Sequence, residues 1–282
     1  MPVIAVVNRK GGSGKSTLAA HLAVWCARQG HAVMLGDVDR QQSSRAWLRR
    51  RDPALPAIAP WAMDQKNVLR VPSGITHVVL DTPGGIHGFE LARVVMFADA
   101  IIMPVCHSVF DRESAAACHA ELMALPRVAS GRCRLATVGM RIDGRTRAGE
   151  VLKAWSDGLS VPFLGTLRET QLYVRSLEKG LTLFDLPASQ IPADLAQWEP
   201  ILAWLKPLLE PVAANEPGHQ RPAGTPVASS RPQNLRPAQD ALAHGQRLSV
   251  LGAKPMGTTV QAVRQTVTRP VETAAIPRFL KR

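Results

Sequence analysis

A short apolar run that leads directly into a glycine-rich loop is the feature that most constrains the fold of this chain. Residues 3–7 (Val-Ile-Ala-Val-Val) predict a buried strand, and residues 8–17 (Asn-Arg-Lys-Gly-Gly-Ser-Gly-Lys-Ser-Thr) follow at once. A helix that starts near Lys15 would direct the positive end of its dipole, and the backbone N–H groups of residues 11–15, toward a phosphate chain. The sequence therefore predicts a phosphate-binding loop at the end of a strand.

The side chains of this loop add to the prediction. Lys15 supplies a point charge for the outer phosphates, and Ser16 offers its hydroxyl to Mg²⁺. The usual loop of this kind begins with glycine, whereas here Arg9 and Lys10 come before a glycine pair. The predicted phosphate-binding residues are Gly11, Gly12, Ser13, Gly14, Lys15, Ser16 and Thr17.

Strand-like and helical patterns alternate from residue 2 to about residue 210. This alternation predicts an α/β fold, with a mainly parallel sheet, helices on both faces and the phosphate site at the carboxyl ends of the strands. Strands are predicted near residues 2–7, 32–37, 56–60, 76–81, 99–105, 133–140 and 161–165. Helices are predicted near residues 15–29, 40–51, 88–98, 111–125, 146–156, 169–179 and 192–208.

The composition changes after residue 210. Residues 211–282 contain nine of the 22 prolines and show no sustained apolar periodicity, so they bury too little apolar surface to offset the entropy cost of ordering. Ten Lys/Arg and three acidic residues give this segment +7 of the net charge of +12. We therefore predict a folded domain over residues 1–210 and a disordered basic tail over residues 211–282, whose last residues, 276–282, are a candidate docking motif.

The charge of the whole chain favours an anionic partner. A net charge of +12 and a pI near 10.4 indicate nucleic acid ahead of a membrane surface. The four cysteines have no C-x-x-C spacing, which predicts reduced thiols in a cytoplasmic protein and neither a disulfide framework nor a zinc site. The sequence shows no signal peptide and no stretch that approaches a membrane span.

Three aspartates follow predicted strands. Asp37 and Asp39 are two residues apart, so on a continuing strand both would face one site, although the strand should end close to Asp39. Asp81 ends the apolar run that starts at residue 76, and Gly84 and Gly85 follow as a hinge. An aspartate that ends an apolar strand, in a chain with a phosphate loop, predicts a Mg²⁺ ligand at Asp81.

These motifs, in this order, resemble the deviant Walker A loop, switch I and switch II of the ParA/MinD family of P-loop ATPases. The resemblance implies ATP and Mg²⁺ as cofactors and Lys10, Lys15 and Asp39 as catalytic residues. Lys10 would reach across a nucleotide-sandwich dimer to the partner's ATP, and Asp39 would orient the attacking water. Ser16, Asp37 and Asp81 would serve the metal, with Asp81 bound directly or through water and Asp37 supporting the shell.

The resemblance covers residues 2 to about 208. Residues 103–111 look like the turn that follows a core strand near the dimer face of ParA-like proteins. An asparagine after the sixth strand often holds adenine in this family, but residues 138–143 (Val-Gly-Met-Arg-Ile-Asp) contain none. The resemblance therefore leaves the adenine-binding residues unassigned.

The leading functional hypothesis is an ATP-dependent, dimerising positioning ATPase in the cytoplasm, associated with the nucleoid. The homodimer would bind DNA non-specifically, and a ParB-like or other partner protein would stimulate hydrolysis. The cargo stays open between a plasmid or chromosome and a protein assembly such as a carboxysome or chemotaxis cluster. The residues predicted for the DNA-binding face are Arg141, Arg145, Arg147, Arg168, Arg175 and Lys179.

Two other classes compete with this hypothesis. A MinD-like, membrane-cycling regulator would use residues 278–282 as its anchor, but so short a segment buries little apolar area and binds a membrane weakly. A metabolic or metal-cluster ATPase of the same superfamily is the other class, and its metal-cluster members use paired cysteines that this spacing does not offer.

Overall fold

The strand that precedes the glycine-rich loop, β1 (Val3–Val6), lies at the centre of a parallel sheet. In the computed structural model, which describes residues 1–39, 41–62 and 71–209, β1 has a parallel partner on each side. The other strands are β2 (Val33–Asp37), β3 (Ile58–Ala62), β4 (His77–Asp81), β5 (Ala100–Val105), β6 (Arg134–Ile142) and β7 (Phe163–Arg168).

Helices connect these strands, as crossovers between parallel strands require. The α-helices are α1 (Lys15–Arg28), α2 (Ser43–Leu48), α3 (Gly88–Phe97), α4 (Val109–Met123), α5 (Pro126–Ala129), α6 (Ala148–Gly158), α7 (Gln171–Glu178) and α8 (Pro192–Leu209). Two 3₁₀ turns, Leu183–Asp185 and Ala188–Gln190, join α7 to α8.

The strand order is β3-β2-β4-β1-β5-β6-β7, and each pairing in the described residues is parallel. The predicted α/β sheet with helices on both faces is therefore confirmed. The connection from β1 leads to β2 on one side, whereas the connection from its neighbour β4 passes β1 and leads to β5 on the other side. Such a reversal opens a crevice at the carboxyl ends of the strands, where ligands of this fold bind.

Two apolar clusters cover the two faces of the sheet, because neighbouring residues of a strand point to opposite sides. Ile4 and Val6 pack into the cluster beneath α1 and α8, whereas Val3 and Ala5 pack into the cluster beneath α3 and α4. The buried Trp198 anchors α8 in the first cluster.

The ends of the predicted strands and helices agree with the structure to within three residues. Helix α4 begins at Val109, before the predicted residue 111, because the Ser108 hydroxyl caps it by accepting a hydrogen bond from the Asp111 N–H at 3.2 Å. Helix α5 and the two 3₁₀ turns were not predicted, since each is too short to carry a periodic pattern.

The predicted tail, residues 211–282, lies outside the described residues, as does the candidate membrane anchor within it. The described residues all fall within one structural unit, Met1–Gly218. None of the helices described there is long and apolar enough to cross a membrane.

Candidate nucleotide site

The loop between β1 and α1 is fixed at its base by Asn8, a fully buried residue. Its amide nitrogen donates to the Pro104 carbonyl at 2.6 Å, and its amide oxygen accepts from the Lys10 N–H at 2.9 Å. One side chain thus ties the start of the loop to β5 and orders the first turn.

Two glycines give the loop its curvature. Gly12 and Gly14 have φ angles of +74° and +94°, a region that favours glycine because it carries no Cβ. A Cβ at Gly14 would lie 2.7 Å from Cε of Met140, whereas a Cβ at Gly11 or Gly12 would meet nothing within 4 Å. The loop therefore leaves open space above its first two glycines, as a phosphate cradle requires.

Lys15 is buried at the start of α1, where its ammonium group donates to the Lys10 carbonyl at 2.9 Å. Burial lowers the pKa of Lys15, and the nearby carboxylates of Asp81 and Asp39 act in the opposite direction. A poorly hydrated cation at a helix N-terminus attracts an anion more strongly than a solvated one. This is the position predicted for the phosphate-binding lysine.

Lys10 has a different environment from Lys15. Its ammonium group lies 3.6 Å from a carboxylate oxygen of Asp111 and 5.9 Å from the centre of the Phe110 ring, both in α4. Within a single chain, Lys10 is therefore held at the beginning of α4 by one ion pair and one cation–π contact.

Asp37 and Asp81 end neighbouring strands and are directly paired in the β2–β4 register. Ser44 donates to one Asp81 oxygen at 2.5 Å, and the Ser16 hydroxyl lies close to this carboxylate. The other oxygen, Oδ1, is buried and has no hydrogen-bond partner among the described residues. Burial raises the pKa of Asp81 to about 6, while the two serine hydroxyls act in the opposite direction.

This arrangement fits a Mg²⁺ ion. A buried carboxylate oxygen without a partner and an adjacent serine hydroxyl are oxygen ligands of the kind that Mg²⁺ takes together with phosphate and water. In the described part of the chain, no group of three or more His, Cys, Asp and Glu side chains could hold a metal by itself. A cation here would therefore depend on Ser16 and on phosphate oxygens to complete its coordination.

Asp37 and Asp39 have separate roles in the β2–α2 loop. Both Asp37 oxygens accept backbone hydrogen bonds at 3.0 Å, one from Asp39 and one from Arg45. Burial raises the pKa of Asp37, and these hydrogen bonds oppose that rise. Asp39 is half-buried, lines the cavity and accepts from the Gln41 N–H at 3.0 Å. Asp37 therefore organises the loop that presents Asp39.

The segment after β4 lies directly against the glycine-rich loop. The Thr82 hydroxyl donates to the Val6 carbonyl at 2.7 Å, and the Gly85 N–H donates to the Arg9 carbonyl. A Cβ at Gly84 would lie 3.2 Å and 3.3 Å from Cα and N of Gly11. Any side chain larger than hydrogen at position 84 would therefore push the two segments apart.

A cavity of about 640 Å³ opens over the loop. Its walls are the glycine-rich loop, the segments after β2 and β4, the end of β6 and the β7–α7 connection. Cavities of this size hold small ligands such as nucleotides. Of the predicted phosphate-binding residues, Gly11, Gly12, Gly14, Lys15, Ser16 and Thr17 line it, while Ser13 is buried beneath the loop with its hydroxyl unpartnered.

The six residues predicted for DNA lie in three places. Arg141 and Arg168 line the cavity, and Arg168 also forms a bidentate ion pair with Asp194 at 2.7 and 2.8 Å. Arg145 and Arg147 are exposed beside α6, paired with Asp143 and Glu150, and Arg175 and Lys179 are exposed near the end of α7.

Sequence reasoning missed two contributors to this site. Ser44, in the first turn of α2, donates to Asp81, yet a single serine at the start of a helix gives no recognisable signal. Glu121 contacts the Arg9 guanidinium and accepts from the N–H of Gly88, the first residue of α3. Arg9 occupies the position where the usual loop has glycine, and this departure was the available clue.

Comparison with known proteins agrees with this geometry. The model of a family described as "CobQ/CobB/MinD/ParA nucleotide binding domain" matches residues 4–277. A relative from Gloeobacter kilaueensis, called maintenance of carboxysome distribution protein A, is 38% identical over 111 residues. That match covers 39% of this chain and 51% of the relative, so it spans about half of the relative's length.

Solved structures show the same fold. The MinC:MinD cell division protein complex of Aquifex aeolicus contains a chain with a TM-score of 0.58 and 18% identity, covering 73% of this chain and 96% of its own length. A protein of Borrelia burgdorferi described as a plasmid partition protein, bound to AMPPNP, has a TM-score of 0.55 and 17% identity. The match covers 72% of this chain and 99% of the Borrelia chain.

Proposed function

The chain belongs to the CobQ/CobB/MinD/ParA nucleotide binding domain family, and from this we propose that it is an ATP-hydrolysing switch that positions a cargo in the cell. The names of similar proteins support a positioning role. The Gloeobacter relative is named for carboxysome distribution, and the Borrelia protein is a plasmid partition protein bound to an ATP analogue. These names suggest two classes of cargo, a protein assembly such as a carboxysome and a plasmid.

The observation that carries the proposal is the buried Oδ1 of Asp81, which has no hydrogen-bond partner among the described residues. This carboxylate lies near Ser16, and Ser16 lines the cavity together with the glycine-rich loop. An unpaired buried carboxylate oxygen is costly, so its retention is explained if a cation occupies that position in the working protein. A glycine cradle and a buried lysine in one cavity, with a cation site next to Ser16, fit a Mg²⁺–nucleotide.

Each residue has a distinct task in the proposed reaction. Backbone N–H groups of the loop and the ammonium of Lys15 hold the phosphate chain, and Ser16 and Asp81 hold Mg²⁺, which when bound neutralises phosphate charge. Asp39, at the cavity wall, accepts a hydrogen bond from the attacking water and orients it.

The proposal also includes dimerisation and the binding of the dimer to DNA. With ATP bound, Lys10 would leave Asp111 and reach the phosphates of a second copy, so that two chains complete two sites. The dimer would bind nucleoid DNA non-specifically, and a ParB-like or other partner protein would stimulate hydrolysis and release. The exposed Arg145, Arg147, Arg175 and Lys179 support this part of the proposal.

The test is ATP hydrolysis by the full chain with and without Mg²⁺. We expect slow, Mg²⁺-dependent phosphate release that Lys15→Ala abolishes, together with loss of nucleotide binding in calorimetry. Lys153→Ala is the matched control, because Lys153 is exposed on α6 and paired with Asp157. Hydrolysis by Lys15→Ala at the parent rate would refute the proposed site.

A further inference from the structure

Arg141 has a strained backbone at a break in the sheet beside the cavity. The β6–β7 register shifts between Met140, opposite Leu167, and Ile142, opposite Arg168, so Arg141 forms a bulge. Its φ of +55° lies in the left-handed region, which is unfavourable for a residue with a Cβ. Bulges next to functional sites redirect a side chain, and strain of this kind persists only where surrounding contacts hold it.

The redirected side chain reaches the glycine-rich loop. Nη2 of Arg141 donates to the Gly12 carbonyl at 2.7 Å and lies 3.2 Å from Sγ of Cys106, just after β5. The guanidinium also lines the cavity together with Gly12, Gly14 and Lys15. Gly12 has no side chain of its own to restrict its peptide, so this hydrogen bond fixes the plane of the Gly12–Ser13 peptide group.

We propose that Arg141 is a nucleotide-site residue, which positions the glycine-rich loop and adds a second cation to the phosphate cavity. The bulge, the bond to Gly12 and the place in the cavity wall are independent observations that agree on this role. Arg145, four residues further on, differs in all three respects: it has no such strain, it pairs with Asp143, and its side chain is 90% exposed. The inference rests on the proposed nucleotide binding, and it separates Arg141 from the other residues predicted for DNA.

Glycine at position 141 separates this role from a merely structural one. Arg141→Gly removes the guanidinium and also relieves the positive φ, so nucleotide affinity and stability should change in opposite directions. We expect the dissociation constant of Mg²⁺–ADP, measured by calorimetry on the full chain without DNA, to rise about five- to tenfold. The melting temperature of the nucleotide-free chain should stay unchanged or rise by about 1–3 °C.

Two variants serve as matched controls. Ser160→Gly relieves a similar positive φ of +56° in the exposed turn before β7, so it should change the melting temperature without changing ADP affinity. Arg132→Ala removes an exposed arginine just before β6 that donates to Ser130, and it should leave ADP affinity within about twofold of the parent.

The outcomes are separable. Equal ADP affinity in Arg141→Gly and in a parent chain that binds ADP would overturn the inference and return Arg141 to the DNA-binding prediction. A parent chain that does not bind ADP would contradict the proposed function itself. If Arg141→Gly melts below the parent, Arg141→Lys decides, because it keeps a charged donor and should restore ADP affinity to within about threefold of the parent. Failure of that rescue would also overturn the inference.

Discussion

At the residue scale, we expect Asp39 to contribute to ATP hydrolysis without contributing to ATP affinity. It lies at the cavity wall beyond the end of β2, whereas the phosphate cradle is built from the β1–α1 loop. We therefore predict that Asp39→Ala binds ATP with near-parental affinity and hydrolyses it about a hundredfold more slowly, because water positioning is lost. Single-turnover hydrolysis and nucleotide titration on the same preparation measure the two effects.

Asp157→Ala is the control for Asp39→Ala, since Asp157 lies on α6 and pairs only with Lys153 among the contacts described. It should match the parent in both measurements. If Asp39→Ala loses ATP binding together with hydrolysis, Asp39 stabilises the β2–α2 loop and does not orient the attacking water.

Gly84 makes a tight contact with the glycine-rich loop. A Cβ there would lie 3.2 Å from Cα of Gly11, closer than ordinary van der Waals contact, so Gly84→Ala should shift the segment after β4 away from the loop by a few tenths of an ångström. We predict that this variant loses about 1–3 kcal/mol of unfolding free energy and most of its ATPase activity. Gly144→Ala should be neutral, because a Cβ there would meet nothing within 4 Å. Equal urea midpoints and ATPase rates for the two variants would contradict the tight contact.

The residues that could be predicted are those whose role depends on chain position. Asp37 and Asp81 end apolar strands, so parallel pairing was enough to bring them together. The role proposed for Arg141 could not be foreseen, because it depends on a bulge and a positive φ that leave no mark in the sequence. The Arg9–Glu121 contact joins residues 112 positions apart, and only the tertiary structure makes them neighbours.

At the scale of elements, His21 connects α1 to the C-terminal helices of the described fold. Its Nδ1–H donates to the Thr17 carbonyl at 2.7 Å, and Nε2 accepts from the Leu183 N–H at 3.2 Å. The ring stacks on Trp198 at 5.2 Å and lies 5.1 Å from Tyr173. Because Nε2 is an acceptor, this fully buried imidazole is held in its neutral form.

A dependence of stability on pH follows from this environment. Burial lowers the pKa of His21 to about 4 from 6.5, so the unfolded chain binds a proton below pH 6.5 that the folded chain excludes. Stability should therefore fall as the pH decreases from 6.5 toward 4, by up to about 3 kcal/mol from this residue. Urea unfolding of the parent and His21→Gln at pH 6.5, 5.5 and 4.5 should give a shallower decline for the variant. Parallel declines would exclude His21 as the source.

Most of the secondary structure could be predicted because long elements carry periodic patterns. Helix α1 and strand β4 were predicted to within one residue at each end. Helix α2 starts at Ser43, three residues later than predicted, because Gln42 has a φ of +51° and interrupts the helical conformation there. His21 was interpreted as an ordinary residue, since a helical pattern does not report which ring stacks above it.

At the scale of the whole molecule, the sheet divides the charges of the site. On one side of β1, β2 ends in Asp37 and β4 ends in Asp81, whereas on the other side β6 carries Arg141 and β7 carries Arg168. A Mg²⁺–nucleotide fits such a division, because its metal is drawn to one side and its anionic chain to the other. Residues 211–282 carry +7 of the net charge of +12.

This distribution predicts how the chain should bind DNA. Binding should be independent of sequence, strongest with ATP and steeply weakened by salt, and Lys10→Ala should remove the ATP dependence by preventing dimer closure. Truncation to residues 1–210 should lower affinity, since it removes +7, and should keep the ATP dependence. Fluorescence anisotropy over a salt series measures both. DNA binding that is equal with ATP, with ADP and without nucleotide, and that is lost when residues 211–282 are removed, would contradict the switch. Liposome co-sedimentation with ATP would then test the membrane alternative.

The four cysteines give this chain an internal reporter of its own opening. All four are buried and reduced, and burial raises the pKa of Cys26 to about 12 and of Cys118 to about 11. A thiolate-seeking reagent can therefore react only when a local segment opens, so its rate measures that opening without any introduced label. Cys106 touches Arg141, which lines the cavity, so we expect a bound nucleotide to slow the modification of this thiol.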